Sequence, residues 1–413
     1  MSNTTAQSPW QSDKLKNLPI QIIDGDRSAR YPKRDEFQKE GILFLNTTNI
    51  EQNRLKLVDA NFVTEEKFAQ IKKGRLQRLD IVMTTRGSIG KLALFNCEHS
   101  TGLINAQMLI LRADGHIIDQ KFLFYLLCSD TLQSQIKNFS SGSAQPQIPI
   151  QDLREIEINY PPPPIQRKIA AILSAYDRLI ENNTRRIEIL EEMARSIYRE
   201  WFVKFRFPGH EQVQMVDSEL GLIPEGWEVV CLGKLASFQT GKLNSNAAKP
   251  NGVYPFFTCS QEIFRTDTYS FDTECVLLAG NNANGVFHIK YFKGKFDAYQ
   301  RTYVIRSLNQ HKVTNYYLYF AIKAQLEHLK SISTGSATKF LTLTILNNLN
   351  IIVSLPEIQD KFAKFIFVVF SEIELLQAKN ANLRKTRDLL LPRLISGEID
   401  VENLDINTGE IAA

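Results

Sequence analysis

The sequence predicts an α+β protein made twice over. Two homologous globular domains of mixed helix and strand are joined by two long helices, which are expected to pair as an antiparallel coiled coil with an internal pseudo-two-fold. Three observations predict it. The chain repeats itself at an offset of 193 residues, as from Gly142 to Gly335, and the same shift carries Gly87 to Gly280, Gln107 to Gln300, Leu153 to Leu346, Pro163 to Pro356 and Gln166 to Gln359. Each copy contains short runs rich in β-formers, such as Asp80-Ile-Val-Met-Thr-Thr and Glu274-Cys-Val-Leu-Leu, and ends in a strand-like run followed by proline. Beyond each proline the apolar period changes from two to three and a half. Two copies are too few for a stacked array, so the pattern reads as a tandem duplication whose halves diverged.

Taken in order, residues 1–19 are expected to form an N-terminal arm, whose opening, Met1 to Trp10, is polar and lacks the apolar stretch of a signal peptide. Residues 20–160 form the first globular domain, with a helical stretch from Lys121 to Asn138 and a closing strand in Glu155-Ile-Glu-Ile-Asn-Tyr. Pro161 to Pro164 is expected to be extended and not helical. The central long helix and its linker occupy 161–208. The second domain, 209–354, repeats the plan, with a helical stretch from Asn315 to Lys330 and a strand in Leu349-Asn-Ile-Ile-Val. The distal helix fills 355–398, and a tail, 399–413, completes the chain.

The helices are defined by their heptads. Steps of four and three connect Ile169, Leu173, Tyr176, Ile180, Asn183, Ile187, Leu190, Ala194, Ile197 and Trp201. The second copy gives Phe362, Ile366, Val369, Ile373, Leu376, Asn380, Leu383, Arg387, Leu390 and Leu394. Asn183 is fifth in its row and Asn380 sixth, so an antiparallel alignment brings the two amides into one layer. A parallel alignment would set each against Leu376 or Ile187, at about 1–3 kcal/mol per unpaired group. Asn183 and Asn380 are therefore expected to set the register at some cost in stability. The same alignment faces Tyr176 with Arg387 and allows a guanidinium–ring contact.

Composition excludes several classes. Lys and Arg (49) nearly balance Asp and Glu (45), so a net charge of +4 does not mark a globally basic nucleic-acid binder, and any basic surface must be local. Five cysteines, odd in number and never spaced Cys-x-x-Cys, suggest neither a disulfide framework nor a zinc site and fit a reducing, cytoplasmic setting. The longest apolar run, Phe365 to Phe370, is too short to span a bilayer, so no membrane partner is expected.

Several segments resemble the specificity (S) subunits of type I restriction–modification systems. They are Trp201-Phe-Val-Lys-Phe-Arg-Phe-Pro-Gly-His-Glu, the domain opening Gly221-Leu-Ile-Pro-Glu-Gly-Trp-Glu-Val-Val, the ending Leu389-Leu-Leu-Pro-Arg-Leu-Ile-Ser-Gly-Glu-Ile, and Ser-Gly-Ser-Ala-Gln-Pro-Gln-Ile at 141–148 with Asp152-Leu and a proline turn after it. The resemblance covers almost the whole chain. It implies two target-recognition domains reading a bipartite, asymmetric site on double-stranded DNA, with the helices spacing them and docking two methyltransferase (M) subunits. Two restriction–translocation (R) subunits would join for cleavage. It also implies that this chain binds no cofactor, and that S-adenosylmethionine, ATP and Mg are used by the partner subunits. The second copy departs from the first, reading Gly335-Ser-Ala-Thr-Lys-Phe in place of Gly142-Ser-Ala-Gln-Pro-Gln, so a role for Gln145 does not carry over.

DNA affinity requires Lys and Arg at phosphates, and specificity requires amides and guanidiniums at base edges. In the first domain the candidates are Arg27, Arg30, Lys33 and Arg34, then Lys72, Lys73, Arg75 and Arg78, and Arg86 with Ser88 in the turn Thr84-Thr85-Arg86-Gly87-Ser88. In the second they are the amides Asn281, Asn282 and Asn284, with Lys290, Lys293 and Lys295 as phosphate anchors. A solvated charged face is the alternative for each basic cluster, and a simple turn for the Asn-Gly loop.

Catalytic signatures are lacking. There is no Gly-x-x-x-x-Gly-Lys phosphate loop, no glycine-rich cofactor loop, and Asn159-Tyr-Pro-Pro has the wrong order for an amino-methyltransferase. The six histidines show no metal spacing. The chain therefore reads as non-catalytic. Two rivals are a stand-alone nuclease or modifying enzyme using Asp152 and Lys168, and a structural coiled-coil scaffold.

Overall fold

The computed structural model describes residues 10–139, 147–283, 285–335 and 338–409. Asn284, Gln145, most of the Gly142–Gln147 turn, and Ser336 and Ala337 of its second copy lie outside the described residues. The chain divides into two compact units: residues 1–182 with 379–413, and residues 183–378.

The first unit holds two four-stranded sheets. One orders Ile20–Asp24, Met108–Ala113, Ile81–Thr84 and Leu92–Leu94, all antiparallel. The run Met108-Leu-Ile-Leu is buried throughout because each of its faces meets a different layer. Leu109 and Leu111 join the core beneath the helix Gln120–Leu127, while Met108 and Ile110 pack with Leu43, Val82 and Phe95 towards the other sheet. That second sheet orders Asn61–Val63, Ile42–Leu45, Gly102–Ile104 and Arg75–Leu76, and Ile42–Leu45 runs parallel to Gly102–Ile104. The expected closing strand is Glu157–Tyr160, which pairs with Gln11–Lys14 of the N-terminal arm. Its burial alternates, with Ile158 and Tyr160 inward. The expected helix from Lys121 to Asn138 is two helices, Gln120–Leu127 and Asp130–Asn138. The break falls where Ser129 caps the second, its hydroxyl accepting from the Leu132 amide.

The second unit repeats the logic on one six-stranded sheet, ordered Ala236–Thr240, Thr302–Ser307, Phe271–Ala279, Ile289–Ala298, Tyr254–Phe257 and Ile263–Thr266. Val276 and Leu278 face the helix Asn315–Ala324, and Cys275 and Leu277 face Phe257 and Phe296 on the opposite side. Asn350–Val353 pairs with Glu228–Cys231 as Glu157–Tyr160 does with Gln11–Lys14.

The long helices span Pro163–Tyr198 and Pro356–Ile395. The first begins inside the proline run, which corrects the expectation that all of Pro161–Pro164 is extended. Pro163 and Pro164 occupy the first turn, where amide hydrogens have no intrahelical acceptor and proline loses nothing. Within each unit the paired helix segments run in opposite senses. In the first unit Asp177 meets Arg387, and the Ile180 carbonyl accepts from Asn380 Nδ2 at 3.4 Å. In the second, Arg186 pairs with Glu372 at 2.9 Å and Tyr198 meets Phe362 with ring centroids 6.2 Å apart. Asn380 is buried and Asn183 half-buried. The Arg387 guanidinium is taken up by the carboxylates of Asp177 and Asp388, in place of the expected Tyr176 ring. Among the described residues no helix is long and apolar enough to cross a membrane.

Candidate nucleic-acid interface

In the first unit four segments meet at one edge of the sheets. The loop after Ile20–Asp24 crosses the turn Asn105–Gln107 so closely that a Cβ on Gly25 would lie 2.1 Å from the Asn105 carbonyl oxygen. Arg27 Nη2 donates to the Ala106 carbonyl and to Asp24 Oδ1, each at 3.3 Å. Arg30 Nη1 reaches the Gln70 carbonyl at 3.4 Å, which brings the segment bearing Lys72 and Lys73 alongside. On the other flank Thr85 donates through both its amide and its hydroxyl to the Gln107 carbonyl, at 2.8 and 3.0 Å, and so places Arg86 next in line.

Arg27, Arg30, Lys72, Lys73 and Arg86 thus share one rim although the sequence scatters them over sixty residues. Lys72, Lys73, Arg78 and Ser88 are exposed. The Arg86 backbone bridges to Gln147, and its Nε is buried without a hydrogen-bond partner among the described residues. Ser88 closes its turn by accepting, through its carbonyl, the Thr84 hydroxyl. Lys33 and Arg34 are exposed on a 3-10 turn whose backbone is held by Glu36. Arg75 is engaged internally: Nε donates to the Ile71 carbonyl and Nη2 to that of Phe68, both at 2.7 Å, and its guanidinium lies 4.4 Å from the Phe68 ring centre. It closes the end of the helix Glu65–Gln70.

The second unit forms a matching rim. Gly241 passes over Ala298 and Tyr299 as Gly25 passes over Asn105, with its Cβ position 1.8 Å from the Ala298 carbonyl oxygen. Asn281 and Asn282 form a short strand against Lys339–Phe340 at the end of Phe271–Ala279. Cys259 Sγ lies 2.9 Å from Asn281 Oδ1 and orients that amide. Lys290 is half-buried, with Nζ donating to the Ser260 carbonyl at 2.7 Å, and burial holds its pKa below the usual lysine range. Burial and the neighbouring Lys290 likewise lower His288.

Lys293 and Lys295 sit farther along Ile289–Ala298, opposite Glu274 and Asp272 in the antiparallel register. Lys295 also lies 4.8 Å from the Tyr269 ring centre. The structure therefore groups Lys290 with the asparagines and leaves Lys293 and Lys295 on the sheet face. Lys168, invoked for a nuclease, donates its Nζ to the Glu402 carbonyl at 2.6 Å.

Sequence reasoning passed over Gln107, Gln300, Arg301 and Lys242, all exposed on these rims. The repeat offers a signal for two of them, since Gln107 and Gln300 correspond at the common offset. Chemically, each rim combines cations suited to phosphates with amides or guanidiniums suited to base edges.

The sequence profile described as the type I restriction modification DNA specificity domain matches twice, over residues 8–192 and 224–385. A type I restriction enzyme specificity subunit of Methanocaldococcus jannaschii, MjaIX, is 30% identical over 350 residues, covering 78% of each chain. The HindI specificity subunit of Haemophilus influenzae is 22% identical over 91% of this chain and 98% of its own. Among solved structures, the type I S subunit from M. genitalium shares the fold with a TM-score of 0.60 at 18% identity, covering 95% of this chain and 98% of that one.

Proposed function

Because this chain belongs to the type I restriction–modification DNA specificity family, we propose that each of its two domains, near 20–160 and 209–354, reads one half of a bipartite, asymmetric target on double-stranded DNA. The family places the chain among specificity subunits with two recognition domains. One observation carries the division of labour. Both units use the same glycine crossover, at Gly25 and Gly241, to build a polar rim, yet the rims differ in side chains. Like frames with unlike contacts fit half-sites of unlike sequence.

In this reading the long helices pair over their length as an antiparallel coiled coil with an approximate two-fold axis, supported by the opposite senses of the segments in each unit. A duplex also has dyads across its axis, so domains inverted about such an axis can grip two half-sites. Helices of 36 and 40 residues are about 54 and 60 Å long at ~1.5 Å per residue, and they would fix the spacer between the half-sites. Their outer faces would dock two methyltransferase subunits, with two restriction–translocation subunits joining for cleavage. The partners would use S-adenosylmethionine, ATP and Mg, and this chain would act without chemistry of its own in the cytoplasm.

Rim residues Arg27, Arg30, Lys72, Lys73 and Lys290 would anchor phosphates, while Arg86, Asn281 and Asn282 would face bases. Mapping methylated bases in cells that carry this chain with its methyltransferase tests the reading. The expected result is a split motif with a fixed gap, and a continuous motif or none would overturn it.

A further inference from the structure

A single carboxylate ties the first domain to both long helices. Asp177, on the first long helix, accepts from Arg387 Nη1 of the second at 2.5 Å and from the Tyr125 hydroxyl at 2.6 Å. Arg54 Nη2 donates to the Asp177 carbonyl at 3.1 Å and to its carboxylate at 3.4 Å. Arg54 stands on a small hairpin, Ile50–Glu51 with Arg54–Leu55, whose turn residues Gln52 and Asn53 both have positive φ, the conformation that closes a tight two-residue hairpin. The hairpin acts as a strut from the domain to the helix. The Asp177 and Arg387 side chains are only 25% and 23% exposed, so the pair is partly shielded from water.

At the matching position the second unit uses an aromatic contact instead. The repeat carries Asp177 to Phe370 and Arg387 to Ala194. Phe370 packs against Tyr291 and Tyr316 of its domain, with centroids 5.1 and 5.3 Å away. An aromatic joint is held by area and shape, whereas the Asp177 joint depends on one charged acceptor shared by three donors.

We propose that Asp177 is a positioning residue for target reading: through Arg54 it fixes the angle of the first recognition domain on the helices, and hence the spacer that the complex accepts. The inference rests on the bipartite reading above. Base contacts lie on the rim within the domain, so loosening the joint should leave base discrimination intact and relax only spacing.

The test uses the full chain assembled with its methyltransferase subunits, as wild type, Asp177→Asn and Arg54→Gln. Initial methylation rates are compared on the mapped target, on duplexes with the spacer one base pair longer or shorter, and on duplexes with one base changed in either half. For both variants the rate on altered spacers, relative to the mapped target, is expected to rise about tenfold, because a small misplacement of a rigid reader changes rates steeply. Discrimination against base changes should stay as in wild type. A merely structural role would lower the amount of active complex and leave every ratio unchanged, and that outcome overturns the proposal. Should Asp177→Asn fail to assemble, Arg54→Gln leaves Arg387 and Tyr125 in place and decides alone. A wild-type complex that methylates no split target would instead refute the bipartite reading.

Discussion

Gln166 accepts the amide hydrogen of Asp119 at 2.7 Å, and the same side chain donates to the carbonyls of Ile117 and Pro161, each at 2.8 Å. With no exposure to solvent, this one amide fastens the start of the long helix to the start of Gln120–Leu127. Its repeat counterpart, Gln359, is equally buried, yet its amide has no hydrogen-bond partner among the described residues.

The pair therefore predicts opposite outcomes for one substitution. Gln166→Leu strands a buried amide and two carbonyls and should cost about 2–4 kcal/mol. Gln359→Leu removes an unsatisfied group and should be within about 0.5 kcal/mol of wild type or stabilising. Denaturant unfolding of the two variants measures both, and equal losses would contradict the distinction.

Asn380 gives a second test of the helix seam. It is buried and donates to the Ile180 carbonyl. Asn380→Ala should destabilise the protein by about 1–2 kcal/mol through the lost polar contacts and the space left behind. A change below about 0.5 kcal/mol in thermal unfolding would show that the amide does not anchor the register.

On the proposed reading, each rim would hold both phosphate anchors and base readers. Lys72→Ala and Lys73→Ala should weaken binding alike on all sequences, each lowering the salt slope by about one. Arg86→Ala should instead lose about 1–3 kcal/mol of discrimination at one position of the first half-site. Lys293→Ala and Lys295→Ala should leave binding almost unchanged, because they lie along the strand beyond Lys290, opposite Glu274 and Asp272 in the register. Titrations of the assembled complex at several salt concentrations distinguish the three cases.

Lys290 combines burial with a place on the second rim. Its folded pKa is lowered from 10.5 by burial, so across the window just below 10.5 the unfolded chain binds more protons, and this residue makes stability rise with pH there. Lys290→Met should flatten that rise and keep stability near neutral pH within about 0.5 kcal/mol of wild type, while weakening DNA binding. A large fall in melting temperature with binding intact would show that the lysine is structural.

How much of this could be read in advance follows from the range of the interactions. The duplication and the heptads are local or periodic, and Ile169 through Leu394 announced two long helices. The first helix nevertheless starts earlier than the proline run suggested, because Pro163 suits a first turn. The rims could not be assembled from sequence, since the contacts of Arg27 with Ala106 and Arg30 with Gln70 join distant segments. For the same reason nothing local revealed that Arg75 closes the helix Glu65–Gln70, or that Lys293 and Lys295 stand opposite acidic residues in the strand register. Gln107 and Gln300 stood out only as repeat landmarks until the fold placed them on the rims.

The most direct test exchanges residues 20–160 for the corresponding segment of a relative with a different target, then maps methylation in cells expressing the hybrid with the same methyltransferase. One half of the split motif should change, with the other half and the gap kept. A hybrid that altered both halves would contradict two independent readers mounted on a common pair of helices.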